Sequence, residues 1–282
     1  MNRRGANAPL KHPVRLKYLS PFPYKGRGSG GWVAKRPANV ILSSSMPKIT
    51  TVVYYRQEKS PSLAGGRVML DKLPPDIKKQ VEKGISILKQ GGIVAFPTDT
   101  VYGLGACATN QQAVERVYQV KGRPQDMALP LLLAHVSQIG EVAEPVPRIA
   151  WLLADKFLPG ALTLVLPRSN SVPDIATAGG VTVAVRIPAH PIPVALIEGL
   201  GASVIGTSAN LSGKASALTA DEVYSQFGDR IDLIIDGGRC PGGRESTVVD
   251  ATGETPVVLR EGAIARKELE QVWGSVVFKK GG

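Results

Sequence analysis

The chain has 282 residues, 43% of them hydrophobic and 20% charged, a balance that suits one large domain or two small ones with an ample core. No run of eighteen or more apolar residues occurs, which excludes a helical membrane span. Two cysteines without a Cys-x-x-Cys pair and only three histidines speak against a structural zinc site and a disulfide framework, and suit a reduced cytoplasmic setting. The net charge of +11 belongs to one segment: residues 1–57 carry eleven Lys and Arg and no acid, whereas from Glu58 onward 23 cations meet 23 acids. A nucleic-acid argument from charge therefore applies to the leader and not to the body.

Residues 1–68 are rich in Pro, Gly, Ser and Lys/Arg and lack the apolar content to offset the entropy of ordering. They read as a disordered extension. The alternatives are a targeting segment, a nucleic-acid-binding arm, or a true start at Met46 or Met69. Within them, 49–55 has strand propensity. The folded body is set at 69–282. Its first helix follows Pro74-Pro75, carries Ile77, Val81, Ile85 and Leu88 on one face, and ends at Gly91-Gly92. A buried strand at 93–96 is stopped by Pro97. After it come two hydroxyls, a carboxylate, a phenol and the glycines Gly103 and Gly105, a turn whose backbone can approach a ligand, at a strand end of the kind where open α/β sheets place their ligands. Asn110 caps a helix that ends at Lys121-Gly122. Strands are expected at 129–134, 162–166, 181–187, 203–205, 231–235, 246–250 and 256–260. Helices are expected at 149–157, 193–198, 221–227 (capped by Thr219) and 267–273. This irregular alternation predicts an α/β fold, an open, twisted mixed sheet flanked by helices.

Polar clusters punctuate the apolar strands: Thr98-Asp99-Thr100, Lys121-x-Arg123, Thr182 with Arg186, Thr207-Ser208-Ala209-Asn210, Glu245-Ser246-Thr247, and Arg260. For any one cation, a structural pair with Asp99, Glu245 or Asp250 explains the position as well as a ligand does. Four cations at strand or helix ends are more simply explained by a shared anionic ligand, with Arg as a fork and Lys as a point charge. The hydroxyls of Thr182, Thr207, Ser208, Ser216, Ser246 and Thr247 suit phosphate oxygens or a small zwitterion, or, taken singly, turns and caps. Neither a P-loop nor a Gly-x-Ser-x-Gly elbow is present. His190 reads as a helix-entry residue, and Cys107 and Cys240 as inert. The pattern describes an anion-positioning site without a covalent nucleophile, which suits phosphoryl or nucleotidyl transfer.

Six segments, in order, resemble the YrdC-like family of threonylcarbamoyl-AMP synthases. They are Phe96-Pro97-Thr98-Asp99-Thr100-Val101-Tyr102-Gly103-Leu104-Gly105, Lys121-Gly122-Arg123-Pro124, Pro159-Gly160-Ala161-Leu162-Thr163, Val183-Ala184-Val185-Arg186-Ile187-Pro188, Ser208-Ala209-Asn210 and Glu245-Ser246-Thr247-Val248-Val249-Asp250. The resemblance spans roughly 75–273. It implies a nucleotidyltransferase that turns L-threonine, bicarbonate and ATP into threonylcarbamoyl-adenylate and pyrophosphate, for threonylcarbamoyladenosine formation in tRNA. It also implies a concave, positively lined cleft, Mg2+ arriving with ATP and no metal held by the protein alone, a downstream threonylcarbamoyl-transferase machinery, and tRNA or double-stranded RNA as an optional direct partner.

By matching position, Thr98, Arg186 and Ser246 would hold threonine, Arg186 through a fork to its carboxylate. Lys121 and Arg123 would act as the catalytic pair on phosphates and carbamate. Thr182, Ser208, Asn210, Ser216 and Arg260 would complete the ATP site. Met127 and Ala128 stand where many relatives have a polar residue and a proline, which argues against a nucleotide contact at 127. The chain ends soon after its last expected helix, without the further C-terminal domain of some relatives. Rival readings are a carbamoyl-adenylating module of hydrogenase maturation, a tRNA- or double-stranded-RNA-binding protein without catalysis, and a paralogue that has lost threonine specificity.

Overall fold

The computed structural model describes residues 69–274 and 277–278; the extension 1–68, with the strand expected at 49–55, lies outside the described residues. The first helix, α1, is Pro75–Lys89; a proline in its first turn lacks an N–H that the turn would leave unpaired in any case. Strand β1, Val94–Phe96, runs into Pro97 and pairs antiparallel with β2, Gly103–Cys107. Helix α2, Gln111–Lys121, starts where Asn110 Oδ1 accepts the Ala113 N–H at 3.0 Å and ends where Gly122 takes a left-handed φ of 59°. Then follow β3 (Leu131–Leu132), α3 (Ile139–Val142), α4 (Arg148–Phe157), β4 (Leu162–Pro167), α5 (Asp174–Thr177), β5 (Thr182–Arg186) and α6 (Pro191–Leu200). The remainder is β6 (Val204–Ser208), α7 (Ala220–Phe227), β7 (Leu233–Ile234), β8 (Thr247–Asp250), β9 (Val257–Arg260), α8 (Arg266–Trp273) and β10 (Val277–Phe278). Among the described residues no helix is long and apolar enough to cross a membrane.

The ten strands among the described residues form one open mixed sheet in the order β10-β9-β8-β4-β5-β3-β6-β2-β1-β7. Four neighbouring pairs are parallel (β1/β7, β3/β5, β4/β8, β9/β10) and the rest antiparallel. At the β7 end, Asp232 Oδ2 accepts the Ile93 N–H at 2.7 Å and pairs with Arg116 Nη1 at 2.6 Å.

Side-chain alternation divides the core between the two faces. On one face Leu104, Leu131, Leu162, Leu164, Val183, Val185, Ile205 and Val249 pack with residues of α2, α4, α7 and α8. On the other, Val94, Phe96, Leu132 and Val204 pack beneath α1 and α6, through Val81, Ile85 and Leu88 of α1 and Ile192, Leu196 and Ile197 of α6. This second core contains nothing from β4, β5, β8 or β9. The helical pair thus covers only the β1–β2–β6–β3 side of that face.

Most expected elements stand, with shifted ends. The strand expected at 129–134 shrinks to two residues, and the one expected at 203–205 extends through Thr207 and Ser208. The larger correction concerns Gly103 and Gly105. They are not a loose turn but positions of β2, and close packing explains them: a Cβ on Gly103 would lie 2.9 Å from the Phe96 ring, and one on Gly105 would lie 2.6 Å from Val204 and 2.9 Å from the Ile205 carbonyl. Since the carbonyl belongs to the neighbouring strand, it cannot turn away as a side chain can. Gly105→Ala should therefore destabilise the fold by about 1–3 kcal/mol, the usual cost of overpacking, read as a lowered urea midpoint with an unchanged slope; an unshifted midpoint would refute this role for the glycine.

Candidate active site

A cavity of about 770 Å³ lies on the part of the sheet face that α1 and α6 leave bare. Strand register puts its wall together. Leu132 pairs with Arg186, Val165 with Ala184, Thr163 with Val248, and Gly103 with Ser208, and all eight residues line the cavity. Their neighbours Leu164, Val185 and Val249 point into the opposite core. A register irregularity at Val248/Val249 leaves Leu259 as an extra residue on β9, and both Leu259 and Arg260 reach the cavity; bulges commonly re-aim side chains beside sites. The site thus occupies a sheet face rather than the carboxyl ends of strands, which corrects the position expected from the Thr98–Gly105 stretch.

Arg186 is buried, 8% exposed. Its Nε donates to Gly160 O at 3.1 Å, its Nη1 to Thr100 Oγ1 at 2.8 Å and its Nη2 to Asp99 Oδ1 at 2.7 Å. Burial pulls its pKa down while Asp99 opposes. A guanidinium has five N–H donors, so each terminal nitrogen keeps one N–H with no partner among the described residues. The Asp99 carboxylate also accepts the Ala189 N–H at 3.1 Å.

The hydroxyls behind Arg186 form an ordered chain. Thr98 Oγ1 donates to Val101 O at 2.7 Å and accepts the Thr100 N–H at 3.1 Å, and the two threonine hydroxyls are 2.9 Å apart. Since the Thr98 proton is committed to Val101, Thr100 must be the donor of that pair, and Thr98 has no capacity left. Thr98 lines the cavity, but in this arrangement it positions Thr100, which is the hydroxyl presented next to Arg186.

Lys121 is the last residue of α2 and is 3% exposed. Its Nζ donates to Ser208 O at 2.5 Å and to Asn210 O at 2.7 Å. Burial first, then Arg123, lower its pKa to about 8, while Glu245 opposes. Arg123 folds back because Gly122 ends the helix, and donates to the carbonyls of Met127 and Ala128 at 3.3 and 3.1 Å. Arg260 donates to Ser246 O at 2.8 Å and pairs with Glu245. Ser246 Oγ lies 2.8 Å from Thr163 Oγ1. Glu245 Oε1 accepts the Ser216 hydroxyl at 2.6 Å. Burial raises the Glu245 pKa, but the Ser216 bond, Arg260, Ser208 and Lys121 together hold it below the usual carboxylate range. Asn210 Nδ2 donates to Leu211 O and Lys214 O, and its buried Oδ1 has no partner among the described residues.

The structure therefore brings Thr98, Lys121, Arg123, Arg186, Ser208, Asn210, Ser246 and Arg260 to one cavity. Ser216 joins through Glu245. Thr182 lies on the Arg186 face but outside the lining, opposite Pro167. Met127 and Ala128 do line the cavity. Asp99, Thr100, Thr163 and Glu245 stand in the polar clusters and matched segments of the sequence without an assigned role; the structure brings Thr100, Thr163 and Glu245 to the cavity and Asp99 to Arg186. His190 caps α6, its Nδ1 accepting the Ile192 N–H at 3.3 Å. Cys240 is buried, and burial raises its thiol pKa. Among the described residues no group of three or more His, Cys, Asp or Glu side chains gathers.

A family model for the Sua5/YciO/YrdC domain, described as "Telomere recombination", matches residues 86–262. The threonylcarbamoyl-AMP synthase of Pyrococcus abyssi is 47% identical over 189 residues, which cover 67% of this chain and 56% of that protein. The protein of the same name from Bacillus subtilis is 43% identical over 203 residues, 72% of this chain and 59% of that one. The crystal structure of P. abyssi Sua5 complexed with L-threonine superposes with a TM-score of 0.69 at 44% identity, covering 71% of this chain and 58% of that chain. The chain thus spans somewhat over half the length of these relatives.

One electrostatic consequence is measurable directly. The Lys121 pKa of about 8 lies below the 10.5 of a free lysine side chain, so between these pH values the unfolded chain holds a proton that the folded chain lacks. Stability therefore rises with pH across that window. The Cε resonance of 13C-labelled Lys121 should titrate near pH 8, and Lys121→Met should flatten the urea stability profile from pH 8 to 10.5; a titration midpoint near 10.5 would count against the burial argument.

Proposed function

The chain belongs to the Sua5/YciO/YrdC family, and from that premise we propose that its folded domain is a threonylcarbamoyl-AMP synthase. The observation that carries the reading is the bare sheet face. On it a buried guanidinium with two N–H groups unused among the described residues shares one cavity with a buried lysine and two further arginines.

Such a site suits a reaction whose parts are a zwitterion and a triphosphate. The threonine ammonium and bicarbonate give a carbamate, water and a proton. The carbamate oxygen attacks the α-phosphorus of ATP, the bond to the β-phosphate oxygen breaks, and pyrophosphate leaves. ATP enters as its magnesium complex, with the metal ligated chiefly by phosphate oxygens and water. The protein's task is positioning and charge neutralisation.

The two unused N–H groups of Arg186 form a fork for the threonine carboxylate. Thr100 offers its remaining lone pair beside them, and Ser246 with Thr163 closes the pocket. Lys121, largely cationic at neutral pH, and Arg123 face the phosphates and the carbamate. Ser208, Asn210, Ser216 and Arg260 belong to the nucleotide side, where the unpartnered Asn210 Oδ1 awaits an N–H donor. The product, a mixed anhydride, would be consumed by a threonylcarbamoyl-transferase acting on tRNA, in the cytoplasm.

The deciding experiment follows pyrophosphate release from ATP, magnesium, bicarbonate and L-threonine, omitting each in turn. Release that requires both threonine and bicarbonate is expected. A folded protein that releases none would defeat the reading and favour the RNA-binding or divergent-paralogue alternatives. Arg186→Ala should abolish threonine-dependent release. Arg186→Lys keeps the charge that balances Asp99 but loses the fork, and should lower release by roughly 10–100-fold, the worth of one or two charged hydrogen bonds. Activity equal to that of the unaltered protein would remove Arg186 from the site.

A further inference from the structure

Among the residues lining the cavity, the cations are Lys121, Arg123, Arg186, Lys214 and Arg260, and Glu245 is the sole acid. Arg186 has its own counter-charge in Asp99, behind the wall. Three of the others share Glu245: it pairs with Arg260, and both Lys121 and Arg123 feel its charge. Arg123 and Arg260 repel each other, so without an anion between them the site works against itself.

Glu245 is also held firmly in place. Its carbonyl accepts the Ala263 N–H at 2.8 Å. Gly262 passes so close that a Cβ there would lie 2.3 Å from the same carbonyl. The carboxylate then spans the cavity wall, with one oxygen on Ser216 of the loop after β6 and the other on Arg260 of β9. A carboxylate held by an arginine and a serine hydroxyl, with a lysine nearby, takes the donors that a phosphate group would take.

We propose that Glu245 is an intramolecular counter-anion of this site: its carboxylate engages Arg260 and Ser216, and a polyphosphate entering the cavity competes with it for them. This deepens the nucleotide reading and rests on it. Glu245 acts through Arg260 and Ser216 rather than on the reacting atoms, so it is a positioning residue. Its charge keeps the cations assembled at the cost of some affinity for the incoming phosphates.

The test is calorimetric binding of inorganic pyrophosphate without magnesium, at fixed ionic strength, to the unaltered chain and to Glu245→Gln. The glutamine keeps an oxygen for the Ser216 hydroxyl and removes the charge. Pyrophosphate should bind the variant roughly two- to fivefold more tightly, the size expected for release from one partly exposed ion pair, and a purely structural role would not strengthen binding. Unchanged or weaker binding to a folded variant overturns the proposal. Weaker binding that appears only when magnesium is added also overturns it, since the carboxylate would then be serving the metal of the substrate. A crystal structure of the unaltered protein with pyrophosphate gives a readout that no substitution can disturb: Arg260 should have moved to a phosphate oxygen, and Arg260 still paired with Glu245 overturns the competition. Absence of pyrophosphate binding in both the unaltered chain and the variant removes this proposal and the nucleotide reading together. Threonine-dependent pyrophosphate release with unchanged variant affinity removes this proposal alone.

Discussion

A guanidinium cannot leave bulk water without partners, because an unpaired buried charge costs several kcal/mol. Much of the site follows from meeting that demand at Arg186. The residue sits at the end of β5, three strands away from β2 and four from β1. Its counter-charge nevertheless comes from Asp99, in the segment joining β1 to β2. That segment must therefore fold back across the sheet face, and it is pinned there. Gly243 N–H donates to Thr100 O at 3.0 Å, and Gly242 runs so close beneath that a Cβ would lie 2.5 Å from the Asp99 carbonyl. The Gly-rich stretch before β8 is thus explained by backbone passing over backbone. The same pinning fixes the sense of the hydroxyl chain from Arg186 through Thr100 and Thr98 to Val101, so that Thr100 faces the cavity as an acceptor.

The second determinant is incomplete coverage. A sheet in an α/β protein is normally packed on both faces. Here α1 and α6 cover one side of one face, and the cavity wall beside them carries short or polar residues where a third helix would need apolar partners: Thr163 of β4, Ala184 and Arg186 of β5, Gly206 and Ser208 at the margin on β6, and Ser246 just before β8. Burial on the opposite face keeps the same strands in register through Leu164, Val185, Ile205 and Val249. A one-residue slip would move every functional side chain into that core. The chemistry is positioned by hydrophobic residues that never touch it.

What the sequence made legible follows from this. Helices α1 and α2 were readable because apolar spacing, the Asn110 cap and Gly122 each have local causes. The cations and hydroxyls were readable because a charge within an apolar strand is costly enough to need a reason. The location of the site on a face was not, since alternation tells two faces apart but not which of them a distant helix will cover. The resemblance names Thr98 as a threonine-holding residue, and the hydrogen bonds add Thr100 as the hydroxyl with a free lone pair; two threonines two residues apart are equivalent until the direction of their protons is known. Gly103 and Gly105 were read as freedom of the backbone, and the cause was the Phe96 ring on the neighbouring strand. In sequence Glu245 reads as a balancing charge for the cations, because an acid in a basic site has that simpler explanation.

An open sheet of ten strands has two rims, each a row of backbone groups able to accept a foreign strand. In this fold both outer strands, β7 and β10, are two residues long. At the β7 rim the ladder is cut short by a side chain: the Asp232 carboxylate takes the Ile93 N–H that another residue of backbone would have claimed, and Arg116 holds that carboxylate in position. Among the described residues, a second copy approaching this rim finds two residues of template and, beside them, a charged pair it would have to strip of water. The ion pair that trims the ladder is thereby also a barrier to self-association, and the protein leaves a broad sheet face open to small molecules while keeping this rim short for other chains.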